Sequence, residues 1–110
     1  MKIKEKGHTL LIKKNEGSLA EFITKINSQY ETLKKHNLVI DLLAEAELDA
    51  AAVAAFAELA ARQSEAKKSF VLVSNAVNYN DFDQELVLVP SIQEAHDIIE
   101  MDEIERDLGF

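Results

Sequence analysis

Two short, continuous apolar runs constrain the fold of this chain more than any other feature. They read NLVIDLL at residues 37–43 and SFVLVSN at residues 69–75. Successive side chains of a β-strand point to opposite faces, so a strand that is apolar throughout must be covered on both faces. The segment between the runs has a helical pattern, and strands joined through a helix run parallel. The two runs therefore predict a parallel or mixed sheet flanked by helices.

The N-terminal part of the chain predicts a hairpin followed by a helix. KIKEK and HTLLIKK form two short strands around Gly7, with edge lysines that discourage pairing with another chain. In NEGSLAEFITKINSQYETLKK, Ser18 and Glu21 form a capping box that starts a helix, which we expect to end near His36 and Asn37. Apolar residues at helical spacing predict the buried face of this helix: Leu19, Phe22, Ile23, Ile26, Tyr30 and Leu33.

The remaining segments predict further helices and strands. The segment AVNYNDFDQE at residues 76–85 reads as a polar loop, and LVLVP as a strand stopped by Pro90. Ser91 and Glu94 form a second capping box, which starts one helix or a pair of helices. Gly109 is expected to end that segment, with Phe110 packing back on Ile104. A helix over residues 49–67 is expected to bury four side chains: Val53, Phe56, Ala57 and Ala60.

These elements follow the order β-β-α-β-α-β-β-α within 110 residues, a common size for one domain. We therefore predict an α/β fold in a single domain over residues 1–110. It should contain a mixed sheet of four to five strands and three or four helices, with right-handed parallel crossovers.

Composition and charge argue against several classes of function. The chain has no cysteine, which excludes disulfides and cysteine metal sites and fits a cytoplasmic protein. Its net charge of −8 argues against nucleic-acid binding. The charge is uneven, since residues 1–36 carry +4 whereas residues 37–90 and 91–110 each carry −6. No apolar run reaches the roughly 20 residues that span a bilayer, and we predict neither a signal peptide nor a membrane partner.

Several of these segments resemble the STAS domain, the fold of bacterial anti-sigma factor antagonists. VIDL at residues 39–42 resembles the family's V-x-D-L strand, and LDAAAV at residues 48–53 has the spacing of x-D-S-S-G-L at the start of the next helix. FVLVSN and LVLVPSIQEAHDII resemble the following strand and the closing strand and helix. The resemblance implies a STAS-like fold and a regulatory protein–protein interaction.

The sequence departs from the family pattern where that family is phosphorylated. Asp49 is kept, but Ala50 and Ala51 replace the two serines and Ala52 replaces the glycine. In the family, a partner kinase phosphorylates one of these serines, so no hydroxyl remains here to accept the phosphoryl group. The family's extra helix between its last two strands is also replaced by the loop at residues 75–85. The resemblance therefore implies a non-catalytic interaction domain without the usual phospho-switch.

A second resemblance points to an alternative. The tail IIEMDEIERDLGF is similar to the tails of short proteins that are sometimes labelled ribonuclease Z. That label implies an H-x-H-x-D-H zinc motif, whereas this chain has only His8, His36 and His96, far apart in sequence. The alternative is therefore an accessory protein, or a mislabelled enzyme, linked to RNA processing. A small-ligand-binding domain is a further alternative.

Candidate sites in the sequence have structural interpretations beside the functional ones. Asp49 is expected to cap its helix by accepting amide protons of the first turn. Together with Asp41, Glu45 and Glu47 it could instead hold a hard cation. His96 is expected to lie at the surface or half-buried. With three glycines and no phosphate-loop motif, neither a nucleotide cradle nor a cofactor is predicted.

Two candidate interaction surfaces remain, each suited to a protein partner. The first is the start of the second helix, comprising Asp49, Ala50, Ala51, Ala52 and Val53. The second is the acidic tail EMDEIERDLGF with four apolar residues: Met101, Ile104, Leu108 and Phe110. The tail is either a docking helix for a basic partner or a segment that folds back and completes the core. We expect it to fold back because of the Gly109–Phe110 cap. Self-association is a further possibility that the sequence leaves open.

Overall fold

The computed structural model describes residues 1–15, 17–45, 48–75 and 86–109. These residues form five strands and four helices in the following order: β1 (Lys2–Lys6), β2 (Thr9–Lys13), α1 (Leu19–Ser28), α2 (Tyr30–Leu33), β3 (Asn37–Asp41), α3 (Ala50–Glu65), β4 (Phe70–Val73), β5 (Val87–Val89) and α4 (Ile92–Asp107). The predicted α/β class and order of elements are confirmed. The loop predicted at residues 76–85 lies outside the described residues.

The strands form one mixed sheet in the sequential order β1-β2-β3-β4-β5. β1 pairs antiparallel with β2, and the three remaining pairs are parallel. Gly7 turns the hairpin with φ +59°, in the left-handed region that glycine adopts without steric cost. The parallel pairs bring the carboxyl ends of β2, β3 and β4 to one edge of the sheet.

Helices cover both faces of the central strands. α1, α2 and α3 pack on one face through Phe22, Phe56 and neighbouring side chains, against Leu38 and Leu72 of the sheet. α4 packs on the opposite face, against a cluster that includes Val71. Every residue of β3 and β4 is buried. The prediction from their unbroken apolar runs is therefore confirmed.

The helix predicted to run from Ser18 to His36 is divided at Gln29 into α1 and α2. Ser18 Oγ accepts from the amide of Glu21 at 3.1 Å, which confirms the predicted start. Near the end of α1, the side chains of Thr24, Asn27 and Ser28 donate to backbone carbonyls in the preceding turn. Such bonds compete with the regular hydrogen bonds of a helix. At Gln29, directly after these residues, the backbone departs from the helical conformation, with φ −104° and ψ 5°.

The buried face of α3 differs from the prediction. Phe56 is fully buried as expected, whereas Val53, Ala57 and Ala60 are only half-buried. The buried residues are instead Ala52, Phe56, Leu59 and Gln63. Gln63 was unexpected in the core because its amide is polar.

Hydrogen bonds account for the burial of the Gln63 amide. Its Oε1 accepts from the Tyr30 hydroxyl at 2.8 Å, and its Nε2 donates to the carbonyl of His36 at 2.8 Å. A buried amide with its donor and acceptor both engaged avoids the cost of lost hydration. The pair also ties α3 to α2 and to the start of β3.

The C-terminal segment is one helix, α4, which Ser91 caps by accepting from the amide of Glu94 at 3.1 Å. Gly109 follows with φ +83°, as predicted for the residue after a helix. The expectation that the apolar residues of the tail complete the core is wrong. The exposed fractions are 62% for Met101, 53% for Ile104 and 67% for Leu108. Phe110 lies outside the described residues.

Polar bonds hold the C-terminal half of α4 against the sheet. Asn37 Nδ2 donates to Glu103 Oε1 at 2.8 Å. Ser69 Oγ donates to Asp102 Oδ2 at 2.7 Å and accepts from the Arg106 guanidinium at 2.6 Å. This end of the helix therefore folds back without using the apolar residues on its other side. None of the helices in the described ranges is long and apolar enough to cross a bilayer.

Candidate functional site

A shallow apolar groove of about 240 Å³ lies between the first turns of α1 and α3. Each of these helices follows a parallel strand, so both begin at the carboxyl edge of the sheet, where open α/β folds usually place their sites. Seven of the described residues line the groove: Leu19, Ala20, Ile23, Asp49, Ala51, Ala52 and Ala55. Its surface is therefore almost entirely aliphatic.

Side-chain caps fix both helix starts that border the groove. Asp49 has an extended backbone, and its Oδ1 accepts from the amide of Ala52 at 2.8 Å. The predicted role of Asp49 as the N-cap is confirmed. Ser18 performs the same role for α1. Because a cap satisfies first-turn amides and sets the entry angle of the chain, these two residues fix the edges of the groove.

The structure divides the first predicted interaction surface by exposure. Asp49, Ala50 and Ala51 are exposed, whereas Ala52 is only 4% exposed and Val53 is half-buried against the core. Asp49, Ala51 and Ala52 line the groove, but Ala50 and Val53 do not. The methyl groups of this turn leave the helix backbone within reach of another molecule.

The opposite wall of the groove was not predicted from the sequence. It is formed by Leu19, Ala20 and Ile23 of α1. Leu19 and Ile23 belong to the predicted buried face of that helix, yet they are only half-buried. Helical spacing predicts that such residues face inward, but it does not show where the neighbouring helix stops covering them.

The acidic residues at this edge have protein partners. Asp41 Oδ1 accepts from the amide of Leu43 at 3.0 Å, and Glu45 lies 2.5 Å from Lys14 Nζ. Asp49 caps α3, and Glu47 lies outside the described residues. Across the described ranges, no group of three or more His, Cys, Asp and Glu side chains is placed to hold a metal ion. The alternative of a four-acid cation site therefore finds no support in Asp41, Glu45 and Asp49, the three of these acids that the structure describes.

The three histidines lie apart from the groove. His8 Nδ1 is 3.5 Å from Glu103 Oε2, and His36 Nε2 is 3.9 Å from Glu5 Oε1. His96 is half-buried, and burial lowers its pKa below the ordinary 6.5, with the charge of Lys6 acting in the same direction. None of these residues lines the groove, and among its described lining residues Asp49 is the one ionisable group. The groove is thus suited to apolar contact.

Comparison with known proteins adds information about the fold. The sequence matches no protein-family model and no curated protein. Among solved structures, the chain is similar to the NMR structure of the protein TM1081, with a TM-score of 0.65 and 13% sequence identity. The match covers 89% of this chain and 86% of that chain. At this identity the similarity shows a shared α/β architecture.

Proposed function

We propose that this chain is a cytoplasmic, STAS-like interaction domain that binds a regulatory protein partner in the groove between α1 and α3, without catalysis. The observation that carries the proposal is the exposed alanine turn at the mouth of that groove, in which Ala51 contributes an apolar wall beside the Asp49 cap. Aliphatic lining and little polar surface favour docking of apolar side chains from another protein.

The sequence resemblance supports the location of this surface. In STAS-like folds, the serine that controls partner binding follows the aspartate at the position of Asp49. Here Ala50 and Ala51 are exposed where a kinase would act, but they carry no hydroxyl. We infer that the surface stays in one state and that its occupancy depends on partner concentration.

The size and chemistry of the groove favour a protein partner over a small ligand. Its volume of about 240 Å³ falls below the roughly 300–1,000 Å³ that is typical of small-molecule sites. Such sites also need a few converging polar groups to orient the ligand, and Asp49 is already engaged by its own helix. A flat apolar contact with a second protein requires neither an enclosed volume nor such groups.

Affinity purification with matched glutamate substitutions tests the proposal. Ala51→Glu places a charge in the groove, whereas Ala61→Glu places the same charge at an exposed position on α3 outside it. Both chains should fold, since glutamate is a good helix former. Under mild salt, we expect a stoichiometric protein partner with the unmodified chain and with A61E.

The A51E chain should bind that partner at least about tenfold more weakly, because an unpaired charge would be buried at the contact. Recovery of no stoichiometric partner would contradict the proposal. Equal binding by A51E and A61E would also contradict it, since the contact would then lie elsewhere on the chain.

A further inference from the structure

One half of a sheet face is left uncovered. α4 packs mainly against β3, β4 and β5 on its face, and between α4 and the hairpin of β1 and β2 the face is open as a groove. Five strands spaced about 4.8 Å apart give a face wide enough for two helices about 10 Å apart. The opposite face accommodates both α1 and α3. The uncovered half therefore has room for one further helix beside α4.

The uncovered half is basic. The antiparallel register places Lys2 opposite Lys13 and Lys4 opposite Leu11, so these side chains share a face with Lys6, two residues further along β1. We call these five residues the lysine face. Leu11 is half-buried, whereas all residues of β1 are exposed. A shallow groove of about 290 Å³ is lined by the hairpin alone, and one of about 540 Å³ lies between Lys4, Lys6 and Leu11 and the near side of α4 with Asp97 and Glu100. A helix that packs on the lysine face should therefore carry both acidic and apolar side chains.

The outward side of α4 has the complementary character. Exposed residues recur on α4 at intervals of about three and four positions, which places them along one side of the helix. We call these residues the outer stripe: Asp97, Met101, Ile104, Glu105 and Leu108. The residues that α4 buries against its own sheet, Ala95 and Ile99, lie on the other side of the helix. α4 therefore has two apolar sides, only one of which is covered.

We propose that the occupant is a second copy of this chain, in a symmetric dimer where the outer stripe of each α4 packs on the lysine face of its partner. Each sheet face would then carry two helices, its own α4 and the partner's. A two-fold arrangement repeats the same contact twice, as the self-complementarity of these surfaces requires. α4 has 16 residues and is about 24 Å long, enough to cross both strands of the hairpin.

Charge supports this occupant over an unrelated protein. The chain carries a net charge of −8, which opposes association of two copies unless opposite charges meet locally. The lysine face contributes four positive charges beside Leu11, and the outer stripe presents two carboxylates beside three apolar side chains. Asp97 already lines a groove with Lys4 and Lys6 of its own copy, and docking adds Glu105 and the partner's carboxylates to the same lysines.

Sedimentation equilibrium of the full chain tests the dimer. We expect a monomer–dimer equilibrium between micromolar and near-millimolar protein, with the dimer weakened by added salt. The variants K2E/K4E and D97K/E105K each reverse charge on one surface at exposed positions. Each should weaken its own dimer at least roughly tenfold, because like charges then meet at both symmetric contacts.

An equimolar mixture of the two charge-reversed variants should form a heterodimer, because both contacts again join opposite charges. Native mass spectrometry can identify it by mass. Ile104→Asp should also weaken the dimer, whereas Leu43→Asp, which alters an exposed apolar residue outside both surfaces, should not. These surfaces lie on the sheet face opposite the α1–α3 groove, so the result is independent of the proposed partner site.

A chain that stays monomeric throughout this concentration range would overturn the dimer. So would a dimer that persists in both charge-reversed variants, since its contact would lie on other surfaces. A monomer that binds an acidic amphipathic helical peptide on the lysine face would show that the occupant is a different protein, which also overturns the second-copy assignment.

Discussion

Asp49 lies at the start of a helix, a position that suggests a functional site, but its carboxylate has a structural role. Its Oδ1 accepts from the amide of Ala52, and its backbone carbonyl accepts from the amide of Val53 at 3.0 Å. The negative charge also lies at the positive end of the α3 dipole. The side chain is exposed, but its oxygen is engaged by its own helix. Exposure and acidity together therefore do not identify a catalytic residue here.

Removing the Asp49 cap should destabilise the protein. We expect Asp49→Ala to lower the free energy of unfolding by about 0.5–2 kcal/mol, because a first-turn amide loses its acceptor. Asp49→Asn should retain most of that free energy. Urea denaturation measures the difference. Glu65→Ala is the charge-matched control, since Glu65 lies in the last turn of α3. Equal loss from D49A and E65A would contradict the capping role.

His96 should make stability depend on pH. Burial first, and the charge of Lys6 second, lower its pKa below 6.5, while Asp97 acts in the opposite direction. The unfolded chain therefore binds this proton more readily than the folded chain. Stability should fall as the pH drops from about 6.5 through the lower pKa of the folded state.

Comparison of variants isolates this contribution. As the pH falls from about 8 to 5.5, the unmodified chain should lose more unfolding free energy than the His96→Gln variant. This range brackets the ordinary histidine pKa of about 6.5. Lys6→Gln should reduce the effect without removing it, since burial remains. A pH-independent difference for H96Q would show that folding does not shift this pKa.

At the scale of elements, buried polar side chains determine how the helices meet the sheet. Asn37 is 1% exposed, with Oδ1 accepting from the amide of Ser69 and Nδ2 donating to Glu103. One amide therefore joins β3 to the residue before β4 and to α4. Gln63 plays the corresponding role between α3 and α2. Apolar packing provides most of the burial, and these amides fix the registration of the helices.

Asn37→Asp should be strongly destabilising at neutral pH. The substitution is nearly isosteric but replaces a donor with a carboxylate oxygen 2.8 Å from the Glu103 carboxylate. Loss of the bond and repulsion in a buried site should cost about 1–3 kcal/mol or more. Thermal or urea unfolding measures the loss.

The double variant N37D/E103Q tests the cause of that loss. It exchanges the donor and acceptor roles of the pair, so we expect it to recover part of the stability lost in N37D. Failure of E103Q to relieve N37D would mean that the loss comes from burying a charge at position 37 rather than from Glu103, since aspartate can still accept from the amide of Ser69.

At the scale of the whole molecule, the sheet is covered unevenly. β3 and β4 are enclosed by helices on both faces, whereas every residue of the edge strand β1 is exposed. Exposed lysines on this edge protect it from pairing with other strands. The molecule is therefore expected to open first at its N-terminal hairpin.

Hydrogen exchange should follow this difference in coverage. At low protein concentration, amides of β3 and β4 should exchange slowest, near the limit set by global unfolding, and amides of β1 should exchange fastest among the strands. NMR or mass spectrometry can measure these rates. Protection of β1 equal to that of β3 would contradict the picture of a loosely held edge.

Local patterns in the sequence determined the elements and the class of fold. The apolar runs at β3 and β4 predicted strands covered on both faces, and the pairs Ser18–Glu21 and Ser91–Glu94 predicted two helix starts. Asp49 was likewise identified as a cap. These features depend on interactions within a few residues or on the alternation of one strand, so the sequence alone contains them.

Tertiary structure decided which side of each helix is covered. Leu19 and Ile23 have the spacing of core residues but form the wall of a groove, because α3 leaves them half-covered. Ile104 was expected in the core, yet α4 buries Ala95 and is held at its far end by Asn37. Helical periodicity cannot distinguish two apolar sides of one helix. Only the contacts between distant segments decide which side faces the sheet and which remains for a partner.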